Sequence, residues 1–333
     1  MSEYNNIMVY TEVAGETLSA ISIQLLGRGR KLADDLGQDL CAVLVGTKVG
    51  SLAQAAITFG ADKVYLVDDP LLKDYQSDSY VSVLEKAVKQ AMPQILILGQ
   101  TAVGRDLAPR LSFRLGTAAV LDCVQLTIDP DSKLLLQTKP VYGGNALAIY
   151  TCKSYPQIAT VRANVMSPLE PNTSRQGEVI IIDAALDPSA VRTRILEKVP
   201  ESIEGIKLED AKVMVSGGRG IGDADGFKHL EKLARLLKGA VGATRPSCDN
   251  GWVPSTRQIG LTGKIVTPDL YIAVAISGAS QHLSGISGSN TIVAINKDPD
   301  ANIFKEAHFG IIGDWKKVLP AFTAKLKEIL SRA

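Results

Sequence analysis

Lys212-Val213-Met214-Val215-Ser216-Gly217-Gly218-Arg219-Gly220-Ile221-Gly222 is the stretch that decides the fold. Its first half, Lys212–Val215, is a short apolar run that reads as a strand. Its second half is a glycine-rich turn, and Phe227–Leu237 beyond it has helical periodicity. Strand, tight loop and helix in that order form one unit of a parallel α/β sheet. Glycines let backbone N–H groups approach an anion closely, and Arg219 adds a charge-assisted donor. The spacing is not G-x-G-x-x-G, so the dinucleotide fingerprint does not apply. On this loop alone, a phosphate site and a plain glycine-rich turn with a solvated arginine are equally open.

Moving outward, more short apolar runs follow at Ala240–Ala243, Leu270–Ile276, Thr291–Ile295 and Phe309–Ile312, with a last helix at Lys316–Leu330. This predicts a smaller C-terminal doubly wound domain. Upstream, Ile7–Tyr10, Leu40–Val45, Lys63–Val67 and Gln94–Leu98 read as buried strands. They are separated by helical patterns at Leu18–Leu36, Leu52–Phe59 and Tyr80–Ala91. Such alternation predicts a mostly parallel N-terminal sheet with helices on both faces. After Asp129 the runs Leu134–Thr138, Ala146–Tyr150 and Gln157–Arg162 follow one another without helices and predict a more antiparallel extension of that sheet. Glu178–Asp183 reads as one further strand. The charged, patternless residues 188–207 read as a connector and a candidate hinge. The predicted fold class is α/β with two domains, 1–207 including the connector and 208–333.

A chain of 333 residues exceeds the usual size of one hydrophobic core, which also favours two domains. A formal net charge of +1 provides no field for recruiting nucleic acid. Four cysteines without a CxxC pair, and only three histidines, argue against disulfide or metal centres. No apolar run reaches spanning length, so no membrane insertion is expected. The N-terminus lacks a basic region and a cleavage site, which predicts a cytoplasmic protein.

The chemistry-bearing residues cluster at predicted strand ends, where open parallel sheets bind ligands. Ser277-Gly278-Ala279-Ser280-Gln281-His282 offers small residues and hydroxyls suited to a pyrophosphate, with His282 a turn further on. Gln258-Ile259-Gly260-Leu261-Thr262-Gly263-Lys264 holds a threonine between glycines. Thr244-Arg245-Pro246 places an arginine after Ala240–Ala243. Ile295-Asn296-Lys297 offers an amide for a base edge or ribose and a lysine for phosphate, and Asp314 occupies the matching place after Phe309–Ile312. Each segment alone also fits an ordinary turn. Their convergence argues for a large dinucleotide-like ligand. No nucleophile or acid–base pair stands near them.

These segments, from Ser216-Gly217-Gly218-Arg219 through Gly263-Lys264-Ile265-Val266, Leu270-Tyr271-Ile272-Ala273-Val274, Ile276–Leu283 and Ile295-Asn296-Lys297-Asp298-Pro299, resemble the alpha subunit of electron-transfer flavoproteins. The resemblance implies an FAD site. Arg219 and Thr244 would contact FAD, and Arg245 would lie over the isoalloxazine and stabilise negative charge on the reduced ring. Thr262 would donate to N5 and His282 to the O2 region. Ser277, Gly278, Ala279, Ser280 and Gln281 would hold the ribityl and pyrophosphate portion. Asn296 and Asp314 would hold the adenosine end, and Ile259, Gly260, Leu261, Lys297 and Trp315 complete the cofactor-binding set. The family usually has Gln where this chain has Leu261; a contact made by the backbone there would survive the change.

The resemblance further implies a heterodimer with a beta subunit. Its electrons would come from an acyl-CoA dehydrogenase or similar flavin dehydrogenase, as in fatty acid beta-oxidation, and pass to a quinone reductase or ferredoxin. The N-terminal domain resembles adenine-nucleotide-binding folds but in this family holds no nucleotide; Gly99–Asp106 looks like a phosphate loop and is expected to be structural. Two alternatives stand beside this carrier: an electron-bifurcating version coupling NADH oxidation to ferredoxin and enoyl-CoA reduction, and a self-contained nucleotide-dependent enzyme.

Overall fold

Runs of wholly buried residues set the first sheet. The computed structural model describes residues 3–144, 146–187, 191, 193, 195–197 and 206–331. The connector and hinge expected at 188–207 fall mainly outside the described residues. The described chain divides into two units, Met1–Val141 with Leu147–Val199, and Tyr142–Ala146 with Pro200–Ala333.

The first unit runs β1 (Ile7–Thr11), β2 (Val13–Ala14), β3 (Thr17–Leu18), α1 (Ala20–Leu36), β4 (Leu40–Gly46), α2 (Ala53–Thr58), β5 (Lys63–Asp68) and α3 (Ser77–Ala91). It continues β6 (Ile95–Gly99), α4 (Ala102–Leu115), β7 (Ala119–Cys123), β8 (Gln125–Ile128), β9 (Leu135–Val141), β10 (Ala146–Tyr150), β11 (Gln157–Val161) and β12 (Glu178–Ile181). Seven strands form a sheet in the order β12-β5-β4-β1-β6-β11-β7, paired in parallel. Every residue of β1, β4, β6 and β11 is buried, as a sheet covered on both faces requires. Helix α1 begins on the Ser19 cap, whose hydroxyl accepts from the Ser22 N–H, and ends at Gly37 with φ 64°.

Two expectations change here. Gly99–Asp106 is not a loop throughout, because α4 starts at Ala102 behind the Thr101 cap. A Cβ at Gly104 would lie 1.9 Å from the Gly99 carbonyl oxygen, so that glycine serves the close approach of helix to strand end. The three runs after Asp129 are also not one extension. β11 enters the main sheet in parallel between β6 and β7, whereas β8, β9 and β10 form a separate three-stranded sheet with β8 and β9 antiparallel. Strand pairing over such distances is set by long-range packing, which local pattern does not encode.

The second unit runs β13 (Val213–Gly217), α5 (Ala224–Leu236), β14 (Ala240–Ala243), α6 (Arg245–Asp249), β15 (Leu270–Val274), α7 (Ser280–Leu283), β16 (Thr291–Asn296), α8 (Ile303–Glu306), β17 (Phe309–Ile312) and α9 (Trp315–Leu330). Its five strands pair in parallel in the order β14-β13-β15-β16-β17. Alternate β15 side chains feed two cores. Tyr271 and Ala273 pack with Met214, Ile259 and Ile286; Ile272 and Val274 pack with Phe227, Leu230 and Trp315. The chain leaves β13 toward β14 on one side and returns to β15 on the other, so the topological switch lies between β13 and β15.

Candidate functional site

Parallel pairing brings the carboxyl ends of all five strands of the second sheet to one edge, and the candidate residues lie along it. At the switch point, Gly218 and Ala275 fit together tightly. Ala275 has φ 53°, uncommon for a residue with a side chain, and a Cβ at Gly218 would lie 2.2 Å from the Ala275 carbonyl oxygen. Only glycine at 218 allows the two loops to meet. Arg219 opens the next turn and is exposed.

After β15, Gly278 has φ 83° and a Cβ there would lie 2.3 Å from the Ile303 nitrogen. Ser277, Ala279, Ser280 and Gln281 are exposed. Among the described residues, the N–H groups of Ser277, Gly278, Ala279, Ser280 and Gln281 meet no acceptor in the protein. A row of unsatisfied donors at a strand end, with Arg219 on the neighbouring strand's loop, is a donor set that fits the pyrophosphate of FAD.

At the β14 end, Thr244 is buried; its N–H donates to Gly217 O at 3.0 Å and its hydroxyl lies 3.3 Å from Ser247 Oγ. Arg245 starts α6, is exposed, and sits 3.4 Å from Asp249 Oδ2. The segment 258–264 is a closed turn. Ile259 N–H donates to Ala243 O at 2.9 Å, Gly260 N–H to Lys264 O at 3.0 Å and Lys264 N–H to Gln258 O at 2.7 Å. Gln258 Nε2 donates to Thr262 Oγ1 at 2.9 Å, so the threonine oxygen is engaged and its hydroxyl proton is directed elsewhere. Leu261 is 61% exposed, an unusual place for a large apolar side chain. Its backbone N–H donates to Gln281 O at 2.8 Å.

Three further candidates bond within the protein. His282 is buried, with Nδ1 3.1 Å from Ile259 O and Nε2 2.9 Å from the Tyr271 hydroxyl. Burial pushes its pKa down to about 4, which keeps the ring neutral. Asn296 holds the strand end itself: Nδ2 donates to Ile276 O at 2.8 Å and Oδ1 accepts the Asp298 N–H at 3.0 Å. Trp315 is buried, and its indole N–H donates to Gly220 O at 3.1 Å, pinning the loop after β13. The cause is common to all three. Strand-end loops carry backbone groups that must be satisfied, and nearby polar side chains satisfy them first. Asp314 caps α9, accepting the Lys316 N–H at 2.9 Å, and Lys297 is exposed. Tyr271, which in a strand reads as core, also brings a buried hydroxyl to His282.

Residues 7–187 match the family model described as the electron transfer flavoprotein domain, and residues 207–287 match the electron transfer flavoprotein FAD-binding domain. The electron transfer flavoprotein subunit alpha of Thermoanaerobacterium thermosaccharolyticum is 46% identical over 330 residues, covering 99% of this chain and 100% of that protein. The same subunit of Megasphaera elsdenii is 43% identical over 331 residues, covering 98% of each. Protein FixB of Clostridium saccharobutylicum is 38% identical over 332 residues, covering 99% of each. The donor-rich edge described above lies largely within the segment that matches the FAD-binding model, and the chain belongs to the electron transfer flavoprotein alpha subunit family.

Proposed function

We propose that this chain is the FAD-carrying alpha subunit of a cytoplasmic heterodimer with an electron transfer flavoprotein beta subunit. It takes electrons from flavin dehydrogenases, acyl-CoA dehydrogenases of fatty acid beta-oxidation among them, and passes them to a quinone reductase or ferredoxin. The observation that carries this reading is the single edge where five parallel strands end with Arg219, Arg245, Thr262 and the Ser277–Gln281 donors.

FAD, when bound, supplies the redox chemistry by taking up and releasing electrons. The chain's own residues hold and tune it. Arg219 and the N–H groups of Ser277–Gln281 would take the pyrophosphate. Arg245 would bring positive charge to the ring, which favours its electron-rich form and raises its potential. Thr262, its oxygen already occupied by Gln258, would give its proton to the ring edge. Asp314, Lys297 and Thr244 would line the ends of the site, while Asn296 and Trp315 shape its loops.

Co-expression with an electron transfer flavoprotein beta subunit tests the reading. A yellow complex with one FAD per heterodimer, bleached by a substrate-loaded acyl-CoA dehydrogenase, is expected. A colourless chain, or one that turns over a substrate alone, would overturn it. Two FAD per dimer with direct reduction by NADH would instead identify the bifurcating version.

A further inference from the structure

In the first unit, one carboxylate stands where an open parallel sheet meets its ligand. The chain leaves β1 for β4 on one side and returns to β6 on the other, so the topological switch of this sheet lies between β1 and β6. Glu12 directly follows β1, and α4 begins at Ala102 just past the end of β6. Glu12 Oε1 accepts the Thr101 hydroxyl at 2.7 Å, and the same oxygen lies 3.3 Å from where a Gly99 Cβ would be. The Glu12 backbone is fixed from the start of α1: its N–H donates to Ser22 Oγ at 2.7 Å, and its carbonyl accepts the Ser19 N–H at 2.9 Å. The carboxylate is therefore held in the crevice between the two strand ends, on the cap of α4.

Apart from that carboxylate, the crevice has the makings of an anion seat. The N–H groups of Thr101, Ala102 and Val103 meet no acceptor among the described residues. Helix α4 runs for 14 residues behind them, so its dipole favours negative charge there. A cavity of about 860 Å³ adjoins, lined by Glu12 itself and by Tyr10, Val45, Val49, Tyr80 and Val103, and it is large enough for a nucleoside. Tyr10 is only 3% exposed, and its hydroxyl meets no partner among the described residues although it lines this cavity. A buried hydroxyl left open on a cavity wall marks a place for a ligand. Glu12 closes the seat in two ways. It fills the space beside Gly99, and its charge opposes a second anion. Burial pushes its pKa up, and the Thr101 hydroxyl opposes that rise.

We propose that Glu12 sets the ligand specificity of the first unit: its carboxylate occupies the anion seat between β1 and β6 and bars phosphate-bearing ligands from the adjoining cavity. Phosphate is left with the Ser277–Gln281 donors of the second unit. The assignment rests on the first unit alone and does not depend on reading the second as the FAD site.

The test measures binding of radiolabelled AMP and adenosine to the full chain by equilibrium dialysis at neutral pH. The wild type gives the background of AMP held anywhere else, so only the difference between proteins is read. Glu12→Ala is expected to bind one further AMP per chain, with a dissociation constant of about 1 mM or lower. Adenosine, which lacks the phosphate, is expected to bind that variant at least about tenfold more weakly than AMP. Glu12→Asp shortens the side chain but keeps the charge, and it is expected to bind no more AMP than the wild type. Val103→Phe added to Glu12→Ala narrows the cavity and is expected to remove the extra site. The proposal is overturned by no further AMP in Glu12→Ala, by an equal gain in Glu12→Asp, by adenosine binding as well as AMP, or by an extra site that survives Val103→Phe. If Glu12→Ala does not fold, Glu12→Ser takes its place and the same outcomes decide.

Discussion

Gly278 and His282 show how single residues at the strand ends divide between backbone geometry and proton chemistry. At Gly278 the φ of 83° and the Ile303 nitrogen 2.3 Å from any Cβ leave no room for a side chain. Gly278→Ala is expected to destabilise the second unit by about 2–3 kcal/mol and to displace the Ser277–Gln281 donors. Urea unfolding and FAD titration of the same sample check both effects. His282 makes a pH prediction. Its pKa falls from 6.5 to about 4 on folding because burial disfavours the charged ring. The unfolded chain therefore binds a proton between those values that the folded chain does not. Stability from this group is complete above about pH 6.5 and is lost as pH falls toward 4, by about 3 kcal/mol in all. Unfolding free energies of wild type and His282→Gln, compared at pH 7 and pH 4.5, should converge at the lower pH by an amount of that order.

The elements are held at their ends by a few side chains, and these ends are also the ligand edge. Asp314 caps α9 through the Lys316 N–H, so Asp314→Ala should cost about 1 kcal/mol, whereas Asp314→Asn keeps the cap. If Asp314 also serves the adenosine end, the Asn variant will bind FAD more weakly at unchanged stability, and the two measurements separate the roles. Helix α5 sits on β13 through Phe227, whose ring lies 2.7 Å from where a Gly217 Cβ would be. Phe227→Ala removes the largest side chain of that seat and is expected to cost about 3–5 kcal/mol, read from denaturant midpoints. Strand–loop–helix units were legible because buried runs and periodicity are local. Helix α4 was not, since Gly99, Gly104 and Pro109 imitate a loop until the close contact between Gly104 and Gly99 is known.

For the whole molecule, the second unit presents an edge where, among the described residues, the Ser277–Gln281 N–H groups meet no acceptor, so FAD should stabilise it by mass action. Free FAD at about a hundred times its dissociation constant is expected to add about 2.7 kcal/mol to the unfolding free energy of the ligand-free heterodimer. A thermal melt with and without FAD measures this, and no change in midpoint would remove the site from this edge. Among the candidate residues along that edge, the structure separates two groups. Arg219, Arg245, Thr262, Ser277, Ser280, Gln281 and Lys297 are exposed. Thr244, His282, Asn296 and Trp315 are turned to neighbouring backbone or side chains.

By itself the amino-acid sequence determined the two α/β sheets, most of their long strands and helices, and the strand ends that carry glycines, hydroxyls and arginines. These follow from hydrophobic period and turn chemistry, which act over a few residues. The tertiary structure decided that β11 joins the first sheet while β8–β10 leave it, because strand pairing depends on what packs from far along the chain. It also decided that His282 faces Tyr271 and Ile259. Which way a buried polar side chain turns is settled by the nearest unsatisfied partner in space, and Tyr271 and Ile259 stand 11 and 23 residues away along the chain.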